Sequence, residues 1–299
     1  MRVSGILLAF AAVTIFSAQD AITRHLGPLY SPFFIAMVRF WAFAGFVMVL
    51  AARRPGGFAA AIRTDHLILQ IVRSLLLITQ ILIAIFSFSI VGLAQSQAIF
   101  MAAPLVVALL SVPILGERVG WRRWLAIISG LVGVMIIIDP LGERFSLATL
   151  IPVSSCCVFA LYSLLTRLAG RYDSADVSLF YTGVVGMAVT SLIGPFFWEE
   201  PLPVDWFWLI ALCFSGIAGH YCLIRALAIT EAVTVQSFIY LQLVYGLLFG
   251  VLLFNETLTM NMLTGAAIVV GAGFFTIWRE HALRKREIAA STGASLAGR

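Results

Sequence analysis

Apolar residues in this chain run on continuously, without the alternation of a half-buried strand or the three-and-four spacing of a surface helix. A helix crossing a bilayer needs about 20 mostly apolar residues. Ten such runs follow one another, at roughly 5–26, 31–52, 67–90, 93–114, 121–139, 148–168, 176–197, 206–227, 233–254 and 259–279. Their length excludes the roughly 10-residue alternating strands of a membrane barrel. The pattern predicts an all-α integral membrane protein with ten transmembrane helices and short connections. The first run, with Arg2 before it and small residues near Phe16-Ser17-Ala18, has the outline of a signal peptide. Cleavage there would leave nine spans, so it is read as the first span.

The polar positions inside the runs repeat. The stretch from Val91 to Trp121 holds Gln97 and Pro104 and ends in Leu115-Gly116-Glu117-Arg118. The stretch from Thr230 to Leu258 places Gln236 and Asn255-Glu256 at the matching positions, 139 residues later. The chain therefore divides into a five-span half at 1–145, a second at 146–279, and a tail at 280–299. The tail, rich in Ser, Thr, Gly and Ala towards its end, is expected to be disordered. An odd number of spans per half forces the two halves into opposite orientations. Such inverted repeats recur in secondary transporters, whose substrate site lies near the midplane where the halves meet.

Composition supports this reading. Hydrophobic residues make up 62% and charged ones 11%, against about 25% charged in soluble domains. The net charge of +5 is no nucleic-acid footprint, because its arginines lie in loops on one side of the membrane. Arg53, Arg54, Arg63, Arg118, Arg122, Arg123, Arg167, Arg171, Arg279, Arg284, Lys285 and Arg286 share the N-terminal side. The opposite connections hold only Arg24 and Arg144, with Asp139, Glu143, Glu199, Glu200, Asp205 and Glu256. Both termini are therefore expected in the cytoplasm. Cys156, Cys157, Cys213 and Cys222 lie within spans without metal-site spacing and read as small apolar residues. No cofactor or metal is expected.

Polar groups inside a bilayer are costly, an Arg at a span centre by about 2.5–3.5 kcal/mol, so they mark packing partners or function. Asp20 and Arg24 share a helix face, and Arg39 in the second span can reach Asp20. The trio is either an ion pair locking the two helices or a proton site at Asp20. Arg73, Gln80 and Ser87 recur every seven residues along one face of the third span. Arg73 either fixes the helix end or attracts a substrate carboxylate. Gln97, Met101 and Pro104 share a face of the fourth span, where the proline makes a fixed kink or a hinge. Gln236, Tyr240 and Leu243, with Gln242 and Tyr245 beside them, form the matching face of the ninth. His220 follows Gly216 and Gly219 in the eighth, and Tyr162 and Thr166 lie in the sixth. Trp198, Trp206 and Trp208 read as an interfacial belt.

An enzyme is a poor alternative. Ser215 and His220 point about 140° apart on one helix, and neither H-E-x-x-H nor a P-loop occurs. A receptor leaves the inverted halves unexplained. Amides, phenols, one imidazole and arginines suit a zwitterion or carboxylate-bearing solute.

The chain resembles the drug/metabolite transporter superfamily in its ten-helix EamA form. The resemblance rests on Pro104, LGERVGWRRW from Leu115, GHYCLIRAL from Gly219, YLQLVYG from Tyr240 and NETL from Asn255. Asp20, Arg24 and Arg39 fit a D-x-x-x-K/R…R pattern of part of the family. Phe16-Ser17 stands where Trp-Gly is frequent, and Asn255 where Gly is frequent. The resemblance implies alternating access in a bacterial inner membrane, as monomer or homodimer, with spans three, four, eight and nine lining the cavity and five and ten peripheral. It implies export of small metabolites, amino acids first, with multidrug, sugar or nucleotide-type efflux as the alternative. The residues expected to touch substrate are Arg73, Gln80, Gln97, Met101, Tyr162, His220, Gln236, Tyr240, Gln242 and Tyr245.

A fluorescent-protein fusion after Arg299 is expected to mature in the cytoplasm. A Glu199→Cys variant is expected to react with an impermeant maleimide added outside intact cells. The reverse labelling pattern would overturn the orientation.

Overall fold

The structure, a computed structural model, describes residues 2–116, 120–142, 146–229, 238, 240–276 and 278. In chain order its helices are α1 (Arg2–Leu26), α2 (Pro32–Ala52), α3 (Gly57–Ile62), α4 (Leu67–Ile90), α5 (Leu93–Phe100) and α6 (Ala103–Leu115). The chain continues through α7 (Trp121–Ile138), α8 (Leu150–Ala169), α9 (Ala175–Ile193), α10 (Asp205–Ile229) and α11 (Leu241–Phe254) to α12 (Met260–Thr276). No strand occurs among the described residues. Among the described residues, seven helical segments are long and apolar enough to cross a membrane, and three more are shorter and apolar. Together they correspond to the ten runs. The short α3 lies in the connection after α2 and packs on α2 and α9.

Local chemistry sets the helix ends. Pro32 opens α2 without wasting an N–H, and the Ser174 hydroxyl caps α9 by accepting from Val177 N. The fourth span is broken at the Met101–Ala102 turn, and Pro104 falls in the first turn of α6, where its missing donor costs little. A turn at Tyr240 stands 139 residues after Met101 and begins α11 in the same way. Gly116 ends α6 in the left-handed region at φ 68°, and Asn255 ends α11 there at φ 52°. Asn is among the few side chains that tolerate this conformation.

Packing repeats the two-fold plan. The α1–α10 contact has its counterpart in α4–α8, α2–α10 in α4–α9, and α1–α11 in the packing of α5 and α6 on α8. The contacts α2–α9 and α5–α11 map onto themselves and mark the axis. The fifth pair, α7 and α12, approaches closely at Gly133 and Gly265, where an added Cβ would strike the opposing carbonyl. One apolar core gathers α5, α6, α7, α11 and α12 around Ile99, Met101, Ile137, Leu243 and Val269. A second gathers α1, α2, α4 and α10 around Leu26, Phe34, Met37, Ile85 and Leu209. Trp198 and Trp206 are exposed, as a belt requires, whereas Trp208 turns inward against this second core.

The α2–α9 contact on the axis depends on absent side chains. A Cβ at Gly186 would enter the Phe40 ring, and one at Gly194 the Met37 side chain. Small residues let helices approach where no hydrophobic force drives them together. Gly186→Ala is expected to destabilise the fold by about 1–3 kcal/mol. Gly45→Ala, with nothing within 4 Å of the new atom, leaves the thermal midpoint in detergent unchanged. Equal midpoints for both variants would refute the close approach.

Candidate functional site

A cavity of about 120 Å³, partly open to the surface, lies between α2, α4, α8, α9 and α10. Helical spacing delivers its walls. Arg39, Phe40 and Phe43 come from one face of α2, and Arg73, Leu77 and Ile81 from one face of α4. Tyr162 comes from α8, Leu179 and Thr182 from α9, and Leu212, Cys213, Gly216, Ile217 and His220 from α10. Two guanidiniums and an imidazole face a space with aromatic walls and no carboxylate in its lining.

The two arginines behave oppositely. Arg73 is 2% exposed and committed. Its Nη1 and Nη2 both donate to the Ser178 carbonyl (2.9 and 3.2 Å) and to Thr182 Oγ1 (3.2 and 2.9 Å). Nη1 also donates to Gln70 Oε1 at 3.1 Å, Nε to Thr166 Oγ1 at 3.3 Å, and the guanidinium lies 5.7 Å from the Tyr162 ring centroid. Gln70 passes the link on to Asp173 Oδ2 at 2.7 Å, which Thr64 also reaches. Arg73 thus ties α4 to α8 and α9. Arg39, half-buried in the same cavity, makes no hydrogen bond or ion pair among the described residues. His220 Nδ1 meets the Gly216 carbonyl at 2.8 Å, so the ring donates there and leaves Nε2 as an acceptor. Phe16 and Phe43 hold the ring, with centroids at 5.1 and 5.6 Å.

Arg73, Tyr162 and His220 therefore share one cavity, joined by Arg39. The other expected residues go elsewhere. Gln80 donates to Ser155 Oγ at 3.4 Å, and Met101 lies in the core. Tyr240 is buried against Phe274 with its hydroxyl unpartnered. The Tyr245 hydroxyl meets Thr14 Oγ1 at 3.1 Å, and Gln242 is half-exposed on α11. Gln236 lies outside the described residues. The cavity is thus walled by spans two, three, six, seven and eight, whereas the resemblance implied three, four, eight and nine. Spans four and nine instead pack on each other, with Gln97 against Gly246 and Ala94 against Gly250.

The expected ion pair between α1 and α2 is not made. Asp20 accepts from Gln97 Nε2 at 2.6 Å, and Arg24 turns to Glu256, with Nε to Oε1 at 3.2 Å. The Glu256 carboxylate also accepts from Leu93 N at 2.7 Å and Ala94 N at 2.8 Å, capping α5 from another helix's end. Gly92, at φ 100°, gives it room, since a Cβ there would meet the carboxylate. Sequence reasoning missed Gln70, three residues before Arg73 on the same face, and the walls Phe40 and Phe43, one and four residues after Arg39.

Arg73→Ala removes the donor to Gln70 Oε1 and to the Thr166 and Thr182 hydroxyls, with the Ser178 carbonyl keeping the Thr182 hydroxyl at 2.8 Å, and is expected to cost about 2–4 kcal/mol. Arg39→Gln removes no hydrogen bond and is expected to shift the thermal midpoint far less. Equal losses in a thermal scan of the purified variants would refute this division.

The EamA-like transporter family matches the chain twice, over residues 3–139 and 146–278. A protein named S-adenosylmethionine uptake transporter from Rickettsia bellii is 27% identical over 272 residues, 91% of this chain and 92% of that one. A protein named riboflavin transporter from Vibrio cholerae is 29% identical over 247 residues, 81% of this chain and 83% of that one. A solved crystal structure at 19% identity shares the fold, with a TM-score of 0.59 over 95% of this chain and 99% of that one. Two family matches across nearly the whole of a ten-helix membrane fold leave one conclusion: the chain belongs to the EamA-like transporter family and is a multi-pass membrane transporter.

Proposed function

We propose that this transporter carries a carboxylate-bearing metabolite with an apolar or heteroaromatic body, by alternating access across the bacterial cytoplasmic membrane, with both termini inside. The observation that carries the reading is Arg39. Its guanidinium faces the cavity without a hydrogen-bond partner. An unpaired cation in a span is costly unless a ligand completes it. A carboxylate fits that fork in bidentate fashion, and Phe40, Phe43, Tyr162 and His220 give the remainder of the solute flat walls. Arg73 adds positive charge from the opposite wall while keeping its own donors committed.

S-adenosylmethionine, the solute named for the Rickettsia relatives, has an amino-acid head and an adenine, and is the first candidate. Its carboxylate fits Arg39, and its sulfonium, which makes it a net cation, would lie against the aromatic faces of Phe40, Phe43 and Tyr162. Riboflavin has a flat heteroaromatic ring but no carboxylate, and would use the walls alone. The broken fourth span, with its turn at Met101–Ala102 and Pro104 beyond, serves as the hinge. The motion is a rocking of spans three and four against spans eight and nine, since the close packing of α1 on α10 and of α4 on α8 joins the two halves. The reading involves no chemical conversion of the solute.

Proteoliposomes loaded with unlabelled solute would be tested for counterflow of labelled S-adenosylmethionine, riboflavin and phenylalanine. Saturable S-adenosylmethionine counterflow is expected. Arg39→Gln is expected to lower its rate at sub-saturating solute at least about tenfold, the equivalent of 1.4 kcal/mol. Unchanged counterflow in the variant, or riboflavin counterflow alone in the wild type, would overturn the carboxylate assignment.

A further inference from the structure

We propose that Glu256 is the latch of the outer gate. Its carboxylate holds spans three and four against span nine at the outer face, and the transporter opens outward only when that hold is released. The latch rests on the rocking motion proposed above and is independent of the solute.

Packing seals the cavity on its outer side. Leu212, its outermost wall on α10, lies about 10 Å from the start of that helix at Asp205. Leu212 and Ile81 belong both to the cavity wall and to the apolar core of α1, α2, α4 and α10. Towards the outer helix ends this core continues through Leu26, Phe34, Met37, Ile85 and Leu209, each at most 1% exposed. These side chains plug the way outward.

Four helix ends meet on one carboxylate at the rim of the plug. Glu256 accepts from Leu93 N at 2.7 Å and Ala94 N at 2.8 Å, the first donors of α5, and from Arg24 Nε of α1 at 3.2 Å. Arg24 Nη1 reaches the Ser89 carbonyl in the last turn of α4 at 3.4 Å, and its guanidinium lies 5.3 Å from the ring centroid of Phe254, the last residue of α11. The end of α11 aims the carboxylate. Asn255 turns into the left-handed region, and Glu256 N donates to the Gly250 carbonyl at 2.9 Å. Two glycines make room for it. A Cβ at Gly92 would lie 2.8 Å from Oε1, and one at Gly250 2.9 Å from Oε2.

Capping alone does not call for this arrangement. A Ser, Thr, Asn or Asp at position 92 would cap α5 from its own chain segment. Here the acceptor comes from a residue 163 positions after Leu93, so α5 keeps its cap only while α11 stays beside it. Release is affordable at this depth. The Arg24 and Glu256 side chains are 20% and 16% exposed, so the freed donors of α5 meet water and not hydrocarbon. Helix α1 also packs on α11, which lets Arg24 keep the carboxylate paired while α4 and α5 swing away.

Cys213 supplies the readout, because it lines the cavity behind the plug. In a background with Cys156, Cys157 and Cys222 replaced by Ala, an impermeant maleimide added outside intact cells reaches Cys213 when the outer gate is open. Glu256→Gln is expected to raise the initial labelling rate at least about tenfold, the equivalent of 1.4 kcal/mol. Arg24→Gln leaves both α5 donors capped and is expected to raise it about threefold, as loss of a partly exposed ion pair allows. Ser174→Ala, which removes the cap of α9 at the other face, is expected to lower the thermal midpoint without raising the labelling. Wild-type labelling in E256Q, or in R24Q should E256Q not reach the membrane, would overturn the latch, as would an equal gain in S174A. Absence of S-adenosylmethionine counterflow removes the solute reading and leaves the labelling result standing.

Discussion

Hydrocarbon supplies no partner for a charge or a backbone donor, so every such group inside the bilayer must be answered from within the protein. Two nodes of this structure follow from that constraint. Arg73 is answered by six hydrogen bonds to neutral acceptors on α4, α8 and α9. Glu256 is answered by Arg24 and by two backbone donors that open α5. The first node sits towards the arginine-rich face and the second at the acidic face. Each joins helices from both halves, and Arg73 itself lines the cavity. Arg39 is left unanswered there, and the functional reading grows from that exception.

The spans were legible because apolar length is a direct readout of bilayer thickness. The break in the fourth span was legible from Pro104, since proline's lost donor is a local property. Partner choice was not. The spacing of Asp20 and Arg24 says that they share a face but not what that face meets. In the fold Asp20 meets Gln97 from α5, and Arg24 meets Glu256 from a residue more than two hundred positions away. The polar face of α4 was legible as a buried stripe, and Arg73, Gln80 and Ser87 are all buried. Their separate partners on α9, α8 and α5 depend on neighbours that periodicity does not identify. The cavity walls Phe40 and Phe43 were invisible for a related reason, since phenylalanine in a membrane span looks the same facing lipid or solute.

The broken fourth span joins these parts mechanically. Its first half, α5, is gripped at one end by Glu256 and along its length by Asp20 through Gln97. Its second half starts beyond the Met101–Ala102 turn and packs on α8. In the proposed hinge, a change at either grip would act on a short helix next to the break, with no long helix to unfold.

The inverted pairing of the halves also constrains how such a chain can arise by gene duplication. The connection between α2 and α4 carries Arg53, Arg54 and Arg63. Its counterpart, between α9 and α10, carries Glu199 and Glu200, with Asp205 opening α10. These are the same place in the repeat, on opposite faces of the membrane and with opposite charge. A duplicated copy that kept its arginines would be pulled back to the face it came from. An inverted copy needs its loops to differ in charge from the original, whereas Gly116 and Asn255 end the corresponding helix in the same left-handed conformation.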